Sequence, residues 1–188
     1  SNLAATDINV DTCTNNWCTL NPLFNTSSLI LKEGNLHTES SSGAGGSAST
    51  YNISNGKWYF ETCYISGTAS YAEMGIINSD ASFSDIGHTT NTGSVLYRAD
   101  GKIYKNTGSG FSVDQTVTAS STGDIIGIAI NLNDQEISFY LNNTQVGSTV
   151  DISYMSNDII IRLGFGYHVA KLVANFGQEG SFAGNKNA

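Results

Sequence analysis

Charged side chains are scarce in this sequence, and the basic ones are not clustered. Of its 188 residues only 13% are Asp, Glu, Lys or Arg, and 16 acidic residues outnumber 8 basic ones. Soluble domains usually hold about a quarter charged residues. Because a phosphate backbone is bound through a basic cluster, we expect no nucleic-acid partner. Attraction to an anionic membrane surface is disfavoured for the same reason.

Long apolar runs and helical periodicity are also missing. No segment approaches the roughly 18 consecutive apolar residues of a membrane-spanning helix, so we expect no membrane insertion. Apolar side chains at helical spacing are almost absent, and Pro22 is the only proline. With 39% hydrophobic residues the chain can still bury a substantial core, which argues against a disordered chain. A length of 188 residues suits one all-β domain.

The residues that bind metals or form disulfides lack the necessary number and spacing. The three cysteines cannot all pair within one chain. Cys13 and Cys18 are close enough to pair, although nothing requires it, and Cys63 lies in a strand pattern that favours a buried thiol. No fourth ligand completes a zinc site, and none of the three histidines has neighbours at metal-ligand spacing. We therefore expect no metal and no cofactor.

Catalytic patterns are missing as well. Glycosidases need two carboxylates across a cleft, but Glu61 is the only acid within an aromatic strand pattern and Glu136 falls at a turn. The sequence has no nucleophile-elbow string for Ser-His-Asp catalysis. We therefore expect that the protein is not an enzyme.

Short strand patterns, separated by turn residues, fill most of the chain. The clearest hairpin spans Ile125–Leu141, where apolar residues alternate on both sides of Asn133-Asp134. Gly34-Asn35 and Ala99-Asp100-Gly101 predict two further tight turns, and residues 40–49 (SSSGAGGSAS) predict a loop. This arrangement indicates an antiparallel β-sandwich or barrel. The other strand patterns are Leu29–Glu33, Leu36–Glu39, Lys57–Ile65, Met74–Ile77, Val95–Arg98, Lys102–Lys105, Ile159–Phe165 and Leu172–Phe176.

The beginning of the chain has little periodicity. We expect residues 1–28 to form an extended arm that runs along a sandwich made by residues 29–188. Trp17, Leu20, Leu23 and Phe24 are the side chains expected to dock the arm on that body.

Five segments, in order, resemble motifs of the SPRY domain. Gly56–Glu61 (GKWYFE) is similar to that family's G-K-x-Y-W/F-E strand, and Gly123–Ala129 (GDIIGIA) to its G-D-x-I-G-V strand. Ile137–Asn143 (ISFYLNN) resembles I-S-F-Y-x-N-G, with asparagine in place of the glycine. Met74–Ile76 (MGI) and Val173–Gln178 (VANFGQ) resemble two more. The resemblance extends over about residues 50 to 182.

The resemblance implies an all-β fold, a bent antiparallel β-sandwich of two sheets that is concanavalin A-like. It also implies a non-catalytic recognition module whose partners meet the loops at one end of the sandwich. The core residues that it implies are Trp58, Phe60, Ile128, Phe139 and Phe176.

Aromatic residues outside the best strand patterns are the candidates for ligand contact. Such side chains can stack on sugar rings or anchor a protein interface, or else they close the ends of the sandwich. Arg98, beside a turn, can hold a carboxylate. We expect the ligand-binding residues to be Tyr71, Phe83, His88, Arg98 and Tyr154, with Phe111 and Tyr167 as further candidates.

A second resemblance covers the N-terminal segment. Asp11–Pro22 (DTCTNNWCTLNP) resembles D-S-P-T-N-N-F-x-T-L-N-P-L, a string that precedes SPRY-like domains in tailed-phage structural proteins. Cys13 replaces its proline and Trp17 its phenylalanine. This resemblance implies a virion protein of the tail, a fibre or the capsid decoration, assembled in the bacterial cytoplasm.

Three functions remain open at this point. The first is a virion module that binds a host-surface glycan or protein, and the second is a purely structural subunit whose loops contact neighbouring virion subunits. The third is a cellular SPRY adaptor that binds a peptide. The sequence is compatible with a homo-oligomer, whose symmetric copies would add avidity to weak sites.

Overall fold

The computed structural model describes residues 16–25, 29–40, 45–80, 93–156, 158–165, 170–178, 180 and 182. Among these residues no helix is long and apolar enough to cross a membrane. A single 3-10 turn, Ala69–Tyr71, is the helical element described, and the rest of the regular structure is β. The strands are β1 Leu20–Asn25, β2 Leu29–Lys32, β3 His37–Ser40, β4 Gly45–Ile53, β5 Lys57–Gly67, β6 Ala72–Asn78, β7 Ser94–Arg98, β8 Lys102–Asn106, β9 Phe111–Thr116, β10 Ile125–Asn131, β11 Glu136–Leu141, β12 Thr144–Asp151, β13 Ile159–Phe165 and β14 Ala170–Asn175.

The strands form two seven-stranded antiparallel sheets. The first sheet has the order β1-β4-β13-β6-β7-β8-β9, and the second has the order β12-β11-β10-β5-β14-β3-β2. Every described pairing is antiparallel. The predicted antiparallel sandwich of two sheets is therefore confirmed.

The core lies between the sheets and is built mainly from alternate apolar residues of the strands. Phe60, Ile128 and Phe139 are almost completely buried, as the motifs implied. The Tyr97 ring of the first sheet meets the Phe139 ring of the second at 6.0 Å between centroids. Since burial of one such side chain stabilises a fold by roughly 1.5–3 kcal/mol, this layer is the main source of stability.

The hairpin β10–β11 follows its sequence pattern without a break. Ile126 pairs with Leu141 and Asn131 with Glu136, and every residue between them is in register. The next turn, Asn142-Asn143, has positive φ at both positions (48° and 67°). Two positive φ values are the geometry of a type I′ hairpin turn, in which asparagine is tolerated. Asn143 thus has a positive φ, which glycine, its counterpart in the family motif, adopts without steric cost.

The prediction of a loop at residues 40–49 is wrong for its second half. Gly45–Ser49 is the beginning of β4 and is buried along its whole length. Its small side chains occupy the space between β1 and β13, with which β4 pairs on either side. The composition suggested a flexible loop because small residues have low strand propensity, whereas tertiary packing decides this strand.

The predicted extended arm includes a strand of the sandwich, because Leu20–Asn25 is β1 and pairs with β4. Leu20 is fully buried, as expected, but Leu23 is 91% exposed and Phe24 is 41% exposed. The expectation that Leu23 docks on the body is therefore wrong, whereas the Phe24 side chain is more than half covered. The reason is a bulge in which Leu20 pairs with Ser49 and Asn25 with Ser47, so that the intervening residues of β1 project outward.

One glutamine joins the two sheets where their edge strands β9 and β12 meet. The Gln115 side chain donates a hydrogen bond from Nε2 to the Ser148 carbonyl (3.0 Å) and accepts one at Oε1 from the Ser148 N–H (2.7 Å). Gly147 takes a positive φ of 70° beside it, and a Cβ there would lie 2.4 Å from Gln115 Oε1. The side chain therefore replaces the strand pairing that each edge lacks.

Candidate functional site

Two of the sequence-predicted site residues, Arg98 and Tyr154, are engaged within the protein. The Arg98 guanidinium donates two hydrogen bonds to Asp100 (2.9 and 2.8 Å) and lies 4.4 Å from the centre of the Tyr104 ring. The Tyr154 hydroxyl donates to the Ser94 carbonyl at 3.0 Å. Ser94 and Arg98 are the two ends of β7, so the structure does not bring these candidates into one site.

The remaining candidates are less informative. Tyr71 ends the 3-10 turn, and its side chain is not described. Phe83, His88 and Tyr167 lie outside the described residues. Phe111 begins β9 and packs edge-on against Tyr104, with 6.1 Å between ring centroids.

The structure places two exposed aromatic side chains elsewhere, at the start of β5. Trp58 is 43% exposed and Tyr59 is 52% exposed. The implication that Trp58 belongs to the core is therefore wrong. It lies at the end of the sandwich, where its indole Nε1 donates to the Asn55 carbonyl at 2.7 Å instead of entering the layer between the sheets. We call Trp58 and Tyr59 the aromatic pair.

The Tyr59 ring is fixed over the outer surface of the second sheet. Gly127, on the neighbouring β10, leaves the space for it, since a Cβ there would lie 2.3 Å from the Tyr59 hydroxyl oxygen. That hydroxyl donates to Glu61 Oε1 at 2.9 Å. Desolvation and the bond to the Glu61 carboxylate raise the pKa of Tyr59 to about 12. The phenol thus remains a neutral hydrogen-bond donor under all physiological conditions.

Next to the aromatic pair runs a shallow groove of about 390 Å³ that is lined by both polar and apolar side chains. Its walls carry both hydrogen-bond donors and hydrogen-bond acceptors, because the lining includes Lys57, Asn131, Glu136 and Ser138. The Tyr59 ring also borders a second hollow of about 290 Å³, together with Ala129, Tyr140 and Asn143. We refer to the two as the polar groove.

On the other side of the aromatic pair lies a more enclosed pocket of about 260 Å³. We call it the apolar end pocket, since hydrophobic and aromatic side chains dominate its lining. Cys18 contributes a buried free thiol whose pKa is raised by burial. The full lining is Asn16, Trp17, Cys18, Tyr51, Ile53, Trp58, Tyr59, Phe60, Ile161 and Phe176.

This arrangement is suited to non-covalent binding. Fixed aromatic rings between a polar groove and an apolar pocket offer both hydrogen bonds and apolar contact area. Among the residues that the structure describes, no group of three His, Cys, Asp or Glu side chains could hold a metal ion.

The sequence contained a signal for this site, which a search for aromatic residues outside the strand patterns missed. In the run Lys57-Trp58-Tyr59-Phe60, consecutive aromatic residues of a strand point to opposite faces, so they cannot all enter the core. Gly127, within an otherwise apolar strand, marks a close approach of a neighbouring group. What the sequence could not reveal is that β5 and β10 are adjacent, which places Tyr59 over that glycine.

Comparison with known proteins agrees with this architecture. The chain is similar to the SPRY domain of human HERC1, with 17% identity, a TM-score of 0.71, and coverage of 86% of this chain and 99% of that one. A second human SPRY domain matches with 20% identity and a TM-score of 0.61, covering 81% and 98% of the two chains. Stonustoxin contains a similar region, with 21% identity and a TM-score of 0.61 over 85% of this chain and 27% of that one. No curated protein matches the sequence.

At these identities the structural likeness shows the fold. The sequence itself matches the family model for the SPRY domain over residues 57–179, which is more than half of the chain and includes the aromatic pair, Gly127 and the β10–β11 hairpin. The chain therefore belongs to the SPRY domain family.

Proposed function

We propose that this SPRY domain is a non-catalytic recognition module of a phage particle that binds a host-surface glycan or protein. The aromatic pair and the polar groove are the proposed contact surface. SPRY domains are generally protein–protein interaction modules, which supports recognition as the broad role. The particle assignment rests on the string Asp11–Pro22 and its likeness to tailed-phage structural proteins.

The observation that carries the proposal is the fixed exposure of Trp58 and Tyr59. Trp and Tyr are enriched among the few residues that contribute most of the binding energy of an interface. Both rings are already hydrogen-bonded, to Asn55 and to Glu61, so binding would immobilise little that is mobile in the free protein. The polar groove beside the two rings provides the polar rim that fixes a ligand's orientation.

Charge narrows the range of ligands. The chain has a formal net charge of −8, and the groove presents Glu136 and Lys57 together with neutral hydrogen-bonding groups. A neutral or weakly basic surface component is therefore favoured over a polyanion, because like charges repel across a contact.

Binding of the purified domain to intact bacterial cells and to their isolated surface polysaccharides tests the proposal. We expect saturable binding that Tyr59→Ala weakens at least about tenfold, the usual scale for loss of an aromatic anchor. Tyr104→Ala, which removes a tyrosine from the outer side of the first sheet, is the matched control and should bind normally. Absence of binding by the native domain, even when it is clustered on beads, would overturn the recognition role.

A further inference from the structure

The polar groove follows strand β10 along the outer face of the second sheet. Its two hollows, of about 390 and 290 Å³, are both bordered by Tyr59 and Ala129, so they adjoin. Asn131 lines one end of the groove, and Tyr140, which pairs with Gly127, lines the other. At the usual rise of a strand, the distance from Gly127 to Asn131 is about 13 Å. The groove is therefore elongated and can hold a chain-like ligand.

The strand beneath the groove has its backbone groups engaged on both sides. From Ile126 to Asn131, β10 pairs with β5 on one side and with β11 on the other. A peptide therefore cannot join the sheet here as a further strand, and its own N–H and C=O groups would need side-chain partners. A ligand that forms its hydrogen bonds through hydroxyl groups meets these conditions more easily.

The side chains at one end of the groove both donate and accept hydrogen bonds. Lys57, Asn131 and Glu136 lie side by side on three adjacent strands, because Asn131 pairs with each of the other two. The Asn131 side chain is held in place by a hydrogen bond from its Nδ2 to Asp134 at 2.6 Å. Since a hydroxyl can donate to the Glu136 carboxylate and accept from the Lys57 ammonium, neighbouring hydroxyls of one ligand can use this row in both directions.

The charges of the groove are balanced. Among the described residues that line it, Lys57 and Glu136 alone are charged, and their signs are opposite. A cationic ligand would meet the ammonium, whereas an anionic one would meet the carboxylate and the net charge of −8 that the chain carries. The groove therefore favours a ligand without net charge.

The Tyr59 ring separates the two hollows, so a ligand that occupies both must cross it. Tyr59 is 52% exposed, and its hydroxyl already donates to Glu61. The ring therefore offers apolar contact area to whatever lies over it. A ligand that matches the whole groove must carry C–H groups and hydroxyl groups close together, which is the chemistry of a sugar.

We propose, as an extension that rests on the recognition role above, that the ligand is an uncharged glycan chain lying along the polar groove. One sugar unit packs its C–H groups on the Tyr59 ring. The units on either side place their hydroxyls against Asn131 and Ser138 in one hollow and against Tyr140 in the other. Because the chain fills both hollows, it binds more tightly than a single sugar unit does.

Competition with material from the bacterial cells that the domain binds identifies the class of ligand. A surface extract is digested with protease, and its polysaccharide is separated on an anion exchanger into an uncharged and an acidic fraction. We expect the uncharged fraction to block binding of the domain to the cells. Blocking by the acidic fraction alone, or by neither polysaccharide fraction, would overturn the glycan assignment and leave the recognition role intact. A native domain that binds no cells would overturn both.

The length of the glycan tests whether it lies along the groove. Partial hydrolysis of the uncharged fraction gives fragments of graded size. We expect the concentration for half-maximal blocking to fall at least about tenfold from single sugar units to fragments that span the groove, and then to level off. Equal blocking by single units and by longer fragments would show that the glycan does not extend along the groove.

Two variants that break the same internal contact separate a binding role from a structural one. Ser138 lines the groove, and its hydroxyl lies 2.9 Å from that of Thr149, which is not among the lining residues. Ser138→Ala should weaken binding of the uncharged fraction about three- to tenfold, the scale of one neutral hydrogen bond, whereas Thr149→Val should weaken it less than about twofold. Equal effects of the two substitutions would mean that the glycan does not contact the groove, and the proposal would fail.

Discussion

The β10–β11 hairpin and the β1–β4 edge differ in how closely they follow the ideal sheet. In the hairpin six successive residue pairs keep one register, and apolar side chains enter the core at every second position. At the edge only Leu20–Ser49 and Asn25–Ser47 pair, and the residues between them turn outward. The comparison teaches that the regular strands supply the core of this fold, while the irregular strand β1 leaves apolar side chains exposed.

Truncation of one large apolar side chain in each region gives the largest expected contrast. Phe139 is 1% exposed in the hairpin, and Phe139→Ala should lower the free energy of unfolding by about 3–5 kcal/mol. Leu23 is 91% exposed at the edge, and Leu23→Ala should cost no more than about 0.5 kcal/mol. Urea denaturation measures both. Similar losses for the two variants would remove the distinction.

An intermediate loss of stability is expected where Gln115 joins the edges of the two sheets. Gln115→Ala removes both hydrogen bonds to Ser148, and because this backbone is exposed to water the loss should be about 1 kcal/mol. Gln145→Ala is the control, since that side chain is exposed on β12 itself. Hydrogen exchange should show faster opening of β12 in the Gln115 variant alone. No difference between the two variants would mean that the bridge does not hold the edges together.

A smaller change of the opposite sign is expected at the turn after the hairpin. Asn143 has φ of 67°, a conformation in which glycine has no steric penalty. Asn143→Gly should therefore stabilise the domain, by up to about 1 kcal/mol. Asn142 should not behave in this way, because its side chain accepts from the Ile125 N–H and donates to Asp124. Thermal unfolding of Asn143→Gly and Asn142→Gly compares them, and destabilisation by the first would contradict the turn assignment.

The smallest effect should appear as a pH dependence at the other end of the second sheet. Burial lowers the pKa of His37 below its ordinary 6.5. The unfolded chain then takes up a proton that the folded protein does not, so stability should decline as the pH falls below about 6.5. His37→Gln should flatten the dependence between pH 7 and about 5. The carboxyl of Glu39 titrates below this pH range, because hydrogen bonds to Lys32 and Lys171 lower its pKa below 4.5. An unchanged slope in His37→Gln would exclude His37 as its source.

The parts of the fold that the sequence predicted are those with local alternation or turn residues. The β10–β11 hairpin, the Gly34-Asn35 turn and the Ala99-Asp100-Gly101 turn are all present. Strand β4 was missed because the small residues Gly45–Ser49 resemble a loop until they are placed between two neighbouring strands. Local periodicity cannot report such long-range packing.

The candidate site was predicted less well than the fold, for a related reason. The Arg98 guanidinium can bind a carboxylate, but it already forms an ion pair with Asp100 of its own turn. Trp58 was expected in the core because of its motif, whereas its position at the strand's start leaves it half-exposed. The exposure of such a side chain depends on where the strand begins. Sequence patterns locate the ends of strands poorly.

A photo-crosslink from the aromatic pair tests the central claim most directly. Benzoylphenylalanine would replace Tyr59 in one variant and Val113 in a second, and both would be irradiated on intact bacterial cells. The account predicts a discrete cell-surface adduct from position 59 and none from position 113. An adduct from position 113 alone, or from neither position while the native domain binds the same cells, would show that recognition does not use the aromatic pair.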